Sequence, residues 1–290
     1  MKPATRTSVV ILVFTLLLYG CDTKRDNGAS FSVSDDGKIV YETGGKVWLK
    51  ATSGSDRLLL AAKNPSFIPG RDSFLASQAG RLVECDTDGN VKDLSIAGGG
   101  RDYFPVSDSN GKYVFFCRAG RTRPAGMGGI VGTDFDLYGF ESATGSLRKI
   151  TSLAAFEMRI VPGAMDGEHI LAALGDKKST HQTLAAIDVQ SGKTTVLSES
   201  ELVASATFLD KDRFVILQSP GYYSMFIGRI SSGSSRPVQV SGIHDAVQVA
   251  ADPTNSETAL MVVRNGNRDY SLEKWTMNGV RKRLFHLRYE

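Results

Sequence analysis

Cysteine is nearly absent from this chain, with three among 290 residues: Cys21, Cys85 and Cys117. That scarcity excludes a disulfide-stapled scaffold, which needs an even and dense cysteine framework. Histidine is almost as sparse, and His169, His181, His244 and His286 show none of the short spacings that hold a structural metal. A charge excess is missing too. Without Lys2 and Arg6, which lie in the N-terminal segment, 32 basic side chains face 31 acidic ones. A nucleic-acid partner would call for a basic surplus or stripe, so none is expected. No Gly-x-Ser-x-Gly elbow occurs, and from Phe31 onward no long amphipathic helix can be drawn.

The longest apolar run is Val9 to Leu18, ten residues interrupted only by Thr15. A bilayer core needs about 20 such residues, so the run is too short to span. With Lys2 and Arg6 before it and Leu18-Tyr19-Gly20-Cys21 after it, it reads as the apolar part of an export signal. The tetrapeptide resembles the bacterial lipobox, although Tyr19 stands where that motif has a small residue. The resemblance implies cleavage after residue 20 and acylation of Cys21, leaving a lipoprotein of the cell envelope that faces the periplasm. By analogy, Asp22 tilts the expectation towards inner-membrane retention. Residues 21–30 are polar and aperiodic and read as a short tether.

Beyond Ser30 the chain consists of short runs rich in β-branched and aromatic residues, bounded by Gly, Asp, Asn and Ser. Six of them look like one recurring strand, at Lys38–Glu42, Ser73–Ser77, Lys112–Cys117, His169–Ala173, Arg213–Leu217 and Ala259–Val263. Their central residues Val40, Leu75, Val114, Leu171, Val215 and Met261 are spaced by 35, 39, 57, 44 and 46 residues, close to the 40 to 45 of a four-stranded propeller blade. Each is followed by a further strand, a glycine turn and a last strand. The turns are Ser53-Gly54, Asp88-Gly89, Thr144-Gly145, Ser191-Gly192, Ser232-Gly233 and Asn278-Gly279. Tight hairpins need positive φ, which glycine adopts without steric cost. Four units carry a second glycine turn before the anchor strand, at Gly37, Gly70, Gly111 and Gly167. The pattern predicts an all-β fold, a six-bladed β-propeller of four-stranded antiparallel blades over residues 31–290. The last unit ends on its own fourth strand, which points to closure by packing against the first. Cys85 and Cys117 fall on non-equivalent strands of neighbouring units, so two small buried, unbridged residues are expected.

The strings FSVSDDGKIVYE and FPVSDSNGKYVFF, with DFDLYGFESATGSLRKIT downstream, resemble the PD40 or WD40-like repeats of the TolB-type six-bladed propeller. The usual Ser-Pro-Asp-Gly is nowhere intact, with Asp35 and Ser109 at the proline position. The α/β domain that precedes the propeller in TolB has no counterpart here, since the tether leads straight into the first unit.

Candidate chemistry is thin. Ser109-x-x-Lys112 lies in a predicted turn without companion motifs; Asp86-x-Asp88 reads as a hairpin turn and Asp134-x-Asp136, by the family resemblance, as a strand opening, with calcium ligands or paired acids as their other reading. Arg281-Lys282-Arg283 and Arg288 form a basic cluster that reads as a solvated outer strand, with anionic lipid headgroups as its other reading. The largest irregularity is Arg118 to Gly132, the source of the 57-residue spacing, read as a long loop whose Arg118, Arg121, Arg123, Met127 and Ile130 could dock a partner. The expected role is a non-catalytic, monomeric interaction module for an envelope protein, with no catalytic residues, cofactor or metal. The alternatives are a carbohydrate-acting or metal-dependent propeller lyase or hydrolase, and a ligand sensor. Replacing Cys21 with Ala should abolish labelled palmitate incorporation and release the protein from membranes; a variant that stays membrane-bound would show that the lipid is not the anchor.

Overall fold

The computed structural model describes residues 30–51, 55–94, 96–124, 130–165, 167–177, 181–219, 224–231, 237–266 and 269–288. They form six antiparallel four-stranded sheets, each running in chain order from an innermost to an outermost strand. Blade one contains β1 (Phe31–Val33), β2 (Ile39–Thr43), β3 (Lys46–Lys50) and β4 (Arg57–Leu60). Blade two contains β5 (Lys63–Phe67), β6 (Ser73–Gln78), β7 (Arg81–Asp86) and β8 (Val91–Asp93). Blade three contains β9 (Arg101–Ser107), β10 (Tyr113–Pro124), β11 (Ile130–Glu141) and β12 (Ser146–Lys149). Blade four contains β13 (Glu157–Met165), β14 (His169–Gly175), β15 (Gln182–Asp188) and β16 (Thr194–Ser200). Blade five contains β17 (Leu202–Phe208), β18 (Arg213–Ser219), β19 (Ser224–Arg229) and β20 (Val238–Gln239). Blade six contains β21 (Ala246–Ala251), β22 (Thr258–Arg264), β23 (Asp269–Thr276) and β24 (Arg281–Arg288). The recurring anchor segment is the second strand of every blade.

Period-two alternation gives each blade two apolar faces, and each face packs on a different neighbour. In β10, Val114 and Phe116 join Leu75 and Leu82 of blade two, while Phe115 and Cys117 join Ile160, Ile170 and Ile187 of blade four. Equivalent clusters fill the other four spaces. The ring closes without strand exchange: β24 completes the sixth blade, and Phe31, Ile39 and Tyr41 pack on Leu260, Val262, Leu272 and Leu287. Cys85 and Cys117 are buried and unbridged, and burial pushes their thiols up, to about 11 for Cys85.

The inner strands leave one edge facing the axis, and side-chain hydroxyls satisfy part of it. Ser32 Oγ accepts the Phe67 N–H at 3.0 Å, Ser205 Oγ that of Val249 at 3.2 Å, and Thr207 Oγ1 that of Ala251 at 3.0 Å. These bonds stitch the first strand of one blade to the first strand of the next.

All eight described turn glycines that the repeat marks have positive φ, from 65° at Gly111 to 102° at Gly167; Gly54 and Gly233 lie outside the described residues. Because the marked turns join first to second strands or third to fourth, they share one face of the ring. Gly145 and Gly192 are equivalent in the repeat but not in their surroundings: a Cβ on Gly145 would meet open space, whereas one on Gly192 would run into the Ile150 carbonyl oxygen. Gly145→Ala should therefore cost about 1–2 kcal/mol, the penalty of a left-handed alanine. Gly192→Ala should cost more, because the backbone of blade three must also move. Urea unfolding of both variants measures the difference, and equal losses would contradict the packing.

Candidate functional site

The face carrying the glycine turns has a recess of about 630 Å³ at the mouth of the axial channel. Its floor mixes the apolar side chains of Val33, Phe67, Ile68, Val106, Ala250 and Ala251 with the hydroxyls of Ser32, Ser34, Ser66 and Ser107, and the turn residues Asp35, Asp36, Arg71, Asp72 and Pro253 form the rim. Blades one, two, three and six supply the lining, while blade four takes up space on the axis. Between Ile160 and Met165 the register of β13 shifts, and its Cα trace comes within 8 Å of β1, β5 and β21 as well as its direct neighbours. The sequence signal was Pro162-Gly163 inside an inner strand, a pairing that marks a bulge.

The polar groups around the recess hold the propeller together. Asp35 Oδ2 accepts the Gly70 N–H at 3.1 Å, bridging blades one and two. Lys38 sits between Asp36, at 2.9 Å, and Asp72 of the next blade. The Ser34 hydroxyl, then Lys38, lower the Asp36 carboxyl, while Asp72, then Asp36, raise the Lys38 ammonium. Arg71 donates to the Gly111 carbonyl of blade three at 3.1 Å. At the sixth blade, burial works against ionisation of Asp252, but Lys274, Thr254 and Thr258 hold its carboxyl down to about 2.

On the opposite face, blade three departs from the sequence reading. Arg118–Gly132 is not a long loop, because β10 and β11 continue as a hairpin that pairs from Ala119↔Phe135 out to Pro124↔Ile130. Arg118 lies within β10 and is not available for docking. Its side chain is 7% exposed, with Nε donating to Asp102 Oδ1 at 2.6 Å, Nη2 to Asp102 Oδ2 at 2.8 Å and Nη1 to the Ala97 carbonyl at 3.0 Å. Phe116 and Tyr138 flank the guanidinium at 5.3 and 5.2 Å. Arg121 and Arg123 are exposed, the first paired with Asp134 at 3.1 Å and the second over the Phe156 ring at 5.5 Å. Met127 lies outside the described residues; Ile130 opens β11. Cys21 and the tether up to residue 29 are outside them as well.

The other candidates are absorbed by the fold. Asp86 accepts the Asp88 and Asn90 N–H groups and so closes its own turn. Asp136 accepts the Thr151 hydroxyl and the Leu153 N–H and pairs with Lys149. Asp108, beside Ser109, accepts the N–H groups of Lys112 and Tyr113. Glu273 binds Arg281 and Arg283, two of the four residues of the C-terminal basic cluster. His169 lies at the glycine-turn end of blade four, whereas His286 meets Asp269 at 3.5 Å on blade six. Among the described residues no three His, Cys, Asp or Glu side chains are grouped to hold a metal.

No protein-family model matches the sequence, and no curated protein matches it either. Solved structures do match. A nidogen/laminin complex aligns with a TM-score of 0.62 at 9% identity, covering 90% of this chain and 94% of that one. A putative TolB from Agrobacterium tumefaciens aligns with a TM-score of 0.60 at 15% identity, covering 81% and 85%. TolB from Acinetobacter baumannii gives 0.59 at 15% identity, covering 96% and 69%. The fold is thus a six-bladed propeller of the TolB kind, one that peptidase and lyase structures share.

A buried carboxylate or guanidinium that loses its partner is left uncompensated, which typically costs about 3–5 kcal/mol. Arg118→Ala and Asp102→Ala should each destabilise the protein by about that amount, and the double variant by much less than their sum. Urea unfolding tests this, and additive losses would show that the two residues act independently.

Proposed function

We propose that this protein is a membrane-tethered, extracytoplasmic interaction module of the bacterial envelope, holding a protein partner at the axial recess and performing no chemistry on it. The observation that carries the reading is how the recess is built. Lys38 at its rim is held between Asp36 and Asp72, and the Ser34 hydroxyl, then Lys38, lower the Asp36 carboxyl while Asp72, then Asp36, raise the Lys38 ammonium. A proton-transfer catalyst needs the opposite, a group poised near the working pH. What remains is a concavity with a floor of apolar side chains and serine hydroxyls and a charged rim, within the size range of binding pockets. The TolB structures share the fold, and the lipobox-like Leu18-Tyr19-Gly20-Cys21 supports the location.

Crosslinking and pull-down from membranes with the full-length protein tests the reading. Pro253→Trp combined with Arg71→Glu alters the rim while leaving the floor intact, and partner capture should fall at least about tenfold, as expected for losing more than 1.4 kcal/mol. Replacing residues 122–132 with an Asn-Gly turn shortens the blade-three hairpin between the paired Arg121 and Thr133 and should leave capture unchanged. The converse pattern would move the docking site to the hairpin and overturn the recess reading.

A further inference from the structure

The direction of β1 fixes which face of the ring the N-terminal segment approaches. Ser30 immediately precedes β1, and its carbonyl accepts the Glu42 N–H at the end of β2. Glu42 Oε2 in turn accepts the N–H of Asn64 at the start of β5, and the Asp102 N–H at the start of β9 reaches the Gly80 carbonyl. The beginnings of the inner strands, the turns between second and third strands and the blade-three hairpin therefore share one face, and the recess lies on the other. Residues 21–30 can span at most about 33–36 Å when fully extended. Resting on the lipid-anchor reading, a bilayer attached at Cys21 stays within that reach of the hairpin face.

Charge on that face is unevenly placed. Around the exit point, blades one to three present Lys46, Lys63, Arg81, Arg101, Arg121 and Arg123. The nearby carboxylates among the described residues are Glu42, Asp93, Asp102 and Asp134, of which Asp102 is buried against Arg118. Glu42 is half-buried, with its pKa raised by burial, while Asp93 and Asp134 lie beside Arg81 at 3.7 Å and Arg121 at 3.1 Å. With the Arg81 and Arg121 side chains 78% and 82% exposed, such pairs are weak and can exchange carboxylate for phosphate. On blades four to six the same face carries more carboxylates than basic groups among the described residues, with Glu157, Asp176, Glu199, Glu201, Asp245 and Asp269 against Lys177 and Arg264. We propose that the basic sector of blades one to three binds anionic lipid headgroups, docking the propeller on its own membrane with the axial recess turned away from the bilayer. An acidic protein could meet the same side chains, but the tether keeps the bilayer permanently close and makes its binding effectively intramolecular.

The test uses the full mature chain carrying Cys21→Ser, exported behind a cleavable secretory signal so that no acyl chain is attached. Flotation with phosphatidylcholine vesicles, with and without phosphatidylglycerol, reads the partition. Each lysine or arginine near an anionic surface is worth about fivefold. The chain should bind only the phosphatidylglycerol vesicles, with a salt-sensitive partition, and the triple variant Lys63→Glu, Arg81→Glu, Arg121→Glu should lose at least about tenfold. Lys193→Glu, Lys211→Glu, Arg229→Glu makes the same change in net charge on the recess face and should leave binding near that of the parent. Circular dichroism shows whether each variant is folded. Equal partition into both vesicle types, no binding to either, or equal losses in the two triple variants overturns the proposal. Palmitate labelling of Cys21 is scored separately, so a failed anchor and a failed basic sector give different results.

Discussion

The apolar seam between the sixth and first blades is the constraint on which the rest of this structure depends. Four-stranded sheets with two apolar faces are soluble only when both faces are covered, and a row of six covers all but the two outermost. Many rings could join those faces through a shared strand. Here the closure rests on side chains, with Phe31, Ile39 and Tyr41 set against Leu260, Val262, Leu272 and Leu287. Tyr41 is 1% exposed, and its hydroxyl donates to Asp56 Oδ2 at 2.6 Å, so a polar atom in the seam is satisfied within its own blade. Each fully buried side chain of this size contributes about 1.5–3 kcal/mol, so a handful can hold the ring shut. Lys50 adds a contact across the same seam, 5.7 Å above the Phe285 ring.

Closure gives the recess its shape. The stitches from Ser32 to Phe67 and from Asp35 to Gly70 fix blade one to blade two beside the axis, and Lys38 reaches Asp72 at the rim. These groups are what a search for catalytic acids and bases would examine first. Their distances show that they are already used in blade-to-blade bonding, with Ser32 to Phe67 the buried bond among them.

The sequence was most informative where backbone geometry restricts residue choice. Glycine at positive φ recurs because the turns between third and fourth strands tolerate little else, and those turns set the repeat even in blades four to six, where the family-like strings fade. Strand content was also legible, since alternation survives wherever both faces are buried. Arg118 misled the reading for a physical reason. An arginine after Cys117 and before a glycine-rich stretch looks like the start of a loop, and its burial depends on Asp102, sixteen residues away on another strand, with Phe116 and Tyr138 flanking the guanidinium. Contacts that cross strands leave no local signature. The intrusion of β13 was hidden for the same reason, although Pro162-Gly163 marked the place where pairing would fail.

The repeat also separates the two faces by how much they can vary. Turns that carry the obligatory glycines lie around the recess, so that rim is held to a similar geometry from blade to blade. The connections on the opposite face obey no such rule. One is the two-residue turn at Gly44 and Gly45, while another is drawn out into the hairpin of β10 and β11. Variation is therefore concentrated on the face from which the N-terminal segment enters β1, and the basic side chains of blades one to three gather there. A tethered domain can bind its membrane and a partner together only if the two surfaces do not compete, and strand direction in a propeller supplies that separation. Since β1 must run from the connection face towards the glycine turns, anchoring the chain ahead of β1 leaves the recess on the far side.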